Sequence, residues 1–322
     1  MSRVGAIVSQ TPTPSAAPST TGVDLSGNPR RHQREAVVRS IFLAAAAVSV
    51  LVSAAIVASL AGRAATFITN VDLASLWTSG WFPRRGLYDL KTIVAGTFLV
   101  AGIAMLVATP LGLGAAVYLA EYARPRARRL LKPVLEILAG IPSVVLGFFA
   151  ITFISPTIVR TLFEGSSFFN MMAAGIAVGI LVTPLVASIS EDAMRSVPMA
   201  LREASFGLGA RKMATTIRVV VPAAVSGIVA SLIIGLSRAV GETMIVAIAA
   251  GATGGGAFTL DPTQQGQTMT AAMTALAIGS DRVRGAELTF ESLFFVGLLL
   301  FVMTLVLNIV SERFVRKVRQ TY

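Results

Sequence analysis

VVVPAAVSGIVASLIIGLSRAVGETMIVAIAA, residues 219–250, is apolar almost throughout, yet carries Arg238 and Glu242 near its middle. A membrane-spanning helix needs about 20 predominantly apolar residues, and this run exceeds that. A charge at the bilayer centre costs roughly 2.5–3.5 kcal/mol on insertion scales. Two charges there demand a polar cavity or a protein partner. Five further stretches, 40–62, 92–120, 137–159, 165–190 and 292–311, hold no Asp, Glu, Lys or Arg. The expectation is an all-α integral membrane protein with six transmembrane helices, because a backbone in lipid must satisfy its own hydrogen bonds. The alternating strands of a membrane barrel are not seen. Pro110, Pro142, Pro156 and Pro184 fall inside the runs, where neighbouring helices can repair a kinked backbone.

The chain has 322 residues, is 54% hydrophobic and carries a net charge of +11. Its basic residues alternate between the segments that join the runs. Lys and Arg number 19 in 1–39, 121–136, 191–218 and 312–322, against seven in 63–91, 160–164 and 251–291. The positive-inside rule then puts both termini in the cytoplasm. The basic excess reads as topology, so nucleic acid is not expected as a partner and membrane lipid is. Cysteine is absent, which excludes disulfides and thiolate metal sites. The single histidine, His32, reads as a solvated tail residue. No metal site and no catalytic residue are expected.

Residues 1–39 read as a disordered basic cytoplasmic tail, 40–311 as the membrane domain and 312–322 as a second basic tail. Trp77, Trp81 and Tyr88 suit a surface-hugging external segment at the interface. Segment 121–133 reads as a short basic turn. Segment 251–291 reads as glycine-rich and flexible, with a short helix over "TMTAAMTALAIGS". "GATGGG" is no phosphate loop, because the Lys-Ser/Thr ending is missing.

The longest basic loop, EDAMRSVPMALREASFGLGARKMATTIRVVVP (191–222), reads as two helices around a glycine turn at 207–210. Ala200, Leu201, Ala204 and Leu208 fall on one face, with Arg202 and Glu203 toward the other. Pro222 suits the first turn of the next span. This loop resembles the EAA loop of ATP-binding-cassette importer permeases. The matching positions are Glu203, Ala204, Ser205 in place of the second Ala, Gly209, Val219, Val221 and Pro222.

The resemblance extends over most of the chain. "LAGIPSVVLGFFA" (138–150), "ATPLGLGAAVYLAEYA" (108–123) and "GLSRAVGETMIV" (235–246) look like phosphate-importer permeases of the PstC type. It implies a type I ABC importer permease fold and import of inorganic phosphate by alternating access. It also implies an assembly with a PstA-like second permease, two PstB-like ATPase subunits and an external phosphate-binding protein in a bacterial cytoplasmic membrane. ATP and Mg would be used by the ATPase partner, with no cofactor bound by this chain. Glu203, Ala204, Ser205, Gly209 and Pro222 would form the ATPase-coupling element. The alternatives are a permease for sulfate or molybdate, or a non-transporting relay of ATPase motion.

Arg238 and Glu242 are four residues apart and would share a helix face, with Ser231, Gly235 and Ala249 near it. Two readings stand. The pair either locks helix packing, or forms a way-station where an arginine fork grips an oxyanion and a carboxylate weakens that grip. Ser143 and Thr183, beside Pro142 and Pro184, are weaker pathway candidates, since such hydroxyls often only repair the backbone.

Overall fold

The computed structural model describes residues 29–77, 80–251, 255–278 and 288–318. Helix α1 runs Pro29–Asn70. Residues 29–39 of the expected disordered tail are therefore helical, and residues 1–28 lie outside the described part. A short helical turn over Leu73–Trp77 and a two-stranded ribbon, β1 (Trp81–Phe82) and β2 (Leu87–Tyr88), follow. Then come α2 (Leu90–Val117), α3 (Pro125–Ala139), α4 (Ser143–Phe149), the turn α5 (Arg160–Leu162) and α6 (Met171–Arg195). The loop region holds α7 (Met199–Gly207), α8 (Lys212–Thr215) and α9 (Val221–Ala223). The chain closes with α10 (Val225–Val240), α11 (Met244–Ala249), α12 (Met269–Ile278) and α13 (Thr289–Val318). Wider π-type turns extend α2 through Tyr118–Tyr122, join α4 to α5 over Ala150–Val159, and join α8 to α9 over Thr216–Val220.

Among the described residues five helices are long and apolar enough to cross a membrane, and a bent pair makes up to six. The pair is Lys212–Ala223 with Val225–Val240, bent by 71°. Pro222 sits near the end of the first helix of the pair, just before the bend at Ala224, rather than in the first turn of a straight span. The chain divides into residues 1–55, which hold the first part of α1, and residues 56–322, which hold the packed core.

Small residues set that core. An added Cβ at Gly175 or Gly179 would lie 2.7 Å from Ile103 or Val107, so α2 and α6 approach closely. Gly235 of α10 sits the same way against Val182 and Val186 of α6. Without a hydrophobic drive between helices in lipid, such close backbone packing holds spans together. Ser190 and Ser231 add a buried hydrogen bond of 2.6 Å between α6 and α10.

Several expectations need correction. The span expected over 137–159 begins only at Ser143. Residues 125–139 form the separate helix α3, with no buried residue, and Pro142 caps α4. The basic turn expected over 121–133 is thus partly helical, because α3 carries Arg128, Arg129 and Lys132 on one side and Leu130, Val134 and Ile137 on the other. Trp81 and Tyr88 are buried with Phe67, Ile93 and Met269 in a second core cluster, and only Trp77 is exposed. Burial pushes the Tyr88 phenol above its ordinary range.

Segment 255–278 is not a loose loop. Its Gly266 packs on Met171, and Met269 N–H donates to Thr97 Oγ1 at 3.0 Å. Thr263, Gln264 and Pro262 carbonyls accept from Ser167, Met171 and Met172 at the start of α6. The expected short helix is present as α12. The second tail, 312–322, continues α13 as far as Val318. His32 lies in α1, and its side chain is outside the described residues.

Candidate functional site

The apolar run 219–250 is a broken helix. Hydrogen bonding of α10 stops at Val240, Gly241–Thr243 are irregular, and α11 resumes at Met244. Irregular backbone at membrane depth is tolerated only where protein buries it or water lines it. Here the polar ends are satisfied locally. Glu242 is 6% exposed. Its carbonyl accepts from Thr270 Oγ1 at 2.8 Å, and Thr270 pairs with Thr268 at 3.1 Å. Glu242 Oε1 accepts from Ile245 N–H at 3.4 Å, a long bond.

The break changes the relation between the two charges. Arg238 lies in the last turn of α10 and is exposed, and no ion pair joins it to Glu242 among the described residues. The helical i,i+4 pairing is lost because Glu242 is past the helix end. Ser231 and Gly235 lie on the Arg238 side of α10 but are buried against α6, whereas Arg238, further along the same helix, is exposed, and Ala249 lies in α11 beyond the break. Neighbouring Ser237 donates to Asn308 of α13 at 3.0 Å.

The other pathway candidates stand apart. Thr183 donates its hydroxyl to Gly179 O at 2.8 Å, one residue before the Ile180 carbonyl that Pro184 leaves without a helical donor. It faces a cavity of about 120 Å³ lined by apolar residues including Leu111, Leu138 and Ile141. Ser143 opens α4, half-buried, and α4 packs on α11 through Gly147 against Ile245 and Ile248.

At the far end of α6, the loop 191–222 is built as two short helices. Gly209 has φ +78°, in the left-handed region that favours glycine. Ala210 N–H donates to Ser205 O and Gly209 N–H to Phe206 O, the paired bonds of a Schellman ending. Ser205 and Thr215 hydroxyls pair at 2.8 Å, tying α7 to α8. Glu203 and Ala204 are exposed, and Met199, Phe206, Leu208 and Met213 put apolar side chains into the open. Of the face that groups Ala200, Leu201, Ala204 and Leu208, Leu201 is half-buried and Leu208 is not. It is 90% exposed at the turn.

Arg202 is a residue whose contacts sequence reasoning missed. It points inward and donates to Glu121 Oε1 at 3.0 Å, Met194 O at 2.8 Å and Val197 O at 2.6 Å. Helical spacing put it beside exposed Glu203, but α7 is too short and peripheral for spacing to define an inside. Glu191, fully buried on α6, was also missed. Arg128 meets it at 2.6 Å and Lys132 at 3.2 Å, which fixes α3 to α6. Asp192, accepting from Lys132, holds that ammonium above its ordinary range. A cleft of about 930 Å³ lies between α3 and α7, lined by Arg128, Arg129, Lys132 and Arg202 among others.

The profile of the family described as "Binding-protein-dependent transport system inner membrane component" matches residues 108–320. The chain is 33% identical to the "Probable ABC transporter permease protein YqgH" of Bacillus subtilis, over 71% of this chain and 75% of that one. It is 33% identical to the "Phosphate transport system permease protein PstC 1" of Mycobacterium tuberculosis, over 74% and 75%. Among solved structures, a chain of a bacterial alginate ABC transporter aligns with TM-score 0.65 and 15% identity, over 91% of this chain and 98% of that one. At that identity the likeness shows the fold alone.

Proposed function

The chain belongs to the family of binding-protein-dependent transport system inner membrane components, and from that premise we propose that it is the PstC-like subunit of an ATP-driven phosphate importer. It is a multi-pass ABC importer permease of the type I fold. Such a permease works within a multi-subunit transporter with a second permease. In this reading the partners are a PstA-like permease, two PstB-like ATPase subunits and an external phosphate-binding protein. Both termini and loop 191–222 face the cytoplasm, and phosphate crosses by alternating access.

The observation that carries the reading is the broken helix with Arg238 exposed on one side and Glu242 buried on the other. Lipid cannot cover Arg238 cheaply, so a second subunit and a polar path between subunits are the natural cover. Discontinuous helices at membrane depth are a recurrent way to build a transport site. The guanidinium fork can take two phosphate oxygens, and the nearby carboxylate keeps binding weak enough for release. Pairing within one helix face, the packing reading, loses support because the pair is unmade.

The loop supplies the other half. Its exposed apolar side chains around Glu203, Ala204 and the Gly209 turn fit docking on an ATPase subunit, which would use ATP and Mg. The test is uptake by the reconstituted complex with its binding protein, using phosphate, sulfate and molybdate in parallel. Preferred phosphate uptake supports the proposal. Uptake of sulfate or molybdate with phosphate ignored overturns the phosphate assignment, and ATP hydrolysis without uptake of any of the three favours a non-transporting relay.

A further inference from the structure

Helix α7 has no buried residue of its own. Leu201 leans on the cluster of Ala116, Met194 and Val197, and Arg202 makes the polar attachment. One Arg202 side chain, 12% exposed, reaches two different spans. Its Nη2 and Nε both point to Glu121 Oε1, at 3.0 and 3.3 Å, in the π-type extension of α2. Its Nη1 and Nη2 take the carbonyls of Val197 and Met194 at the end of α6. They lie at the C-terminal end of α6, where Met194 O otherwise takes a long bond from Val197 N–H at 3.4 Å, and a cation suits the negative end of the helix dipole. Glu121 is 7% exposed, so solvent screens the pair weakly.

We infer that the Arg202–Glu121 pair is the positioning link that carries movement of α7 into α2. The inference rests on the reading of α7 as the element that meets the ATPase. The route beyond it is continuous. Helix α2 is packed along α6. Near its other end Thr97 accepts from Met269 N–H at the start of α12, and Thr270, the next residue, holds the Glu242 carbonyl at the helix break. A shift of α2 along its axis thus pulls on the residues beside Glu242. A lysine at 202 keeps a cation but cannot hold a carboxylate and two carbonyls with one planar fork. Coupling along this route is read at its far end, beside Glu242.

The experiment uses the intact complex with its other subunits free of cysteine. A cysteine at Gly241, exposed at the break, is labelled by a water-soluble thiol reagent with and without ATP plus vanadate, which traps ADP and vanadate in the ATPase after one hydrolysis. The labelling-rate ratio of the two states reads coupling without reference to any transported anion. Trapping is expected to change the rate when Arg202 and Glu121 are intact. The ratio should fall toward one in Arg202→Gln and Glu121→Gln, with Arg202→Lys between, while the complex still assembles. Glu121→Gln preserves the carbonyl contacts of Arg202, so it isolates the ion pair from the helix cap. Two outcomes overturn the link: an unchanged ratio in both variants, or loss of assembly in both, which would make the pair a fastening only. A ratio already at one with the native pair would also refute the route to the break. The phosphate reading fails separately, if phosphate-loaded binding protein does not stimulate hydrolysis by the unaltered complex.

Discussion

Replacing Gly209 with leucine should weaken ATPase attachment without unfolding the permease, and the structure sets how much. An added Cβ at Gly209 meets nothing within 4 Å, so no clash arises. The whole cost comes from φ +78°, which in an L-residue with a side chain is about 1–2 kcal/mol. The turn relieves that strain by leaving the Schellman geometry, and the docking-competent population falls by about 5- to 30-fold. Asparagine visits the left-handed region readily, so Gly209→Asn should lose far less. The assay is ATPase binding to the purified permease pair, with thermal unfolding of the same sample as the folding control. Equal binding by Gly209→Leu and the unaltered protein would refute the reasoning. So would a Gly209→Asn defect as large as that of leucine, since backbone strain would then not be the cause.

Arg238→Lys should keep normal assembly and lose roughly tenfold or more in phosphate uptake, the scale of a charge-assisted hydrogen bond of about 1.5–3 kcal/mol; full uptake by Arg238→Ala would remove the residue from the pathway. Phosphate at neutral pH still carries a hydroxyl proton that an ionised carboxylate can accept, whereas sulfate carries none. Glu242→Gln should therefore raise sulfate uptake relative to phosphate in a complex that bypasses the binding protein, and an unchanged ratio in competitive uptake would sink that filter. Gly96→Ala should destabilise by about 1–3 kcal/mol, because its Cβ would sit 2.3 Å from Gln267 O. Gly102→Ala, with nothing within 4 Å, should be neutral or stabilising, and thermal midpoints of the two in detergent check the contrast. A cysteine at Thr263 should label only from the external side, and labelling only from the cytoplasmic side would invert the orientation read from the charges.

Long-range order in this chain was legible wherever a run of residues carries one property. The apolar runs announced the spans, since only helices or a closed barrel satisfy backbone in lipid, with breaks tolerated where protein buries them. Glycine at 209 announced its turn, because φ +78° is a local demand that one residue type meets cheaply. The loop motif was legible for the same reason: its spacing is local.

What tertiary structure alone decided lies where a residue's surroundings come from distant segments. Arg238 and Glu242 were four apart in sequence, but the helix ends between them. That break is held by Thr270, 28 residues away, so no periodicity could reveal it. Arg202 turned inward because Glu121 waited 81 residues upstream. Trp81 and Tyr88 went to the core because Phe67, Ile93 and Met269 enclose them. Segment 255–278 looked loose because its glycines suggest freedom, yet Gly266 is there so that Met171 can lie against its backbone. Sequence alone determined which segments must leave water, because that depends on composition over about 20 residues. Which side chain faces which depends on close packing between segments far apart in the chain, and only the folded structure decides that.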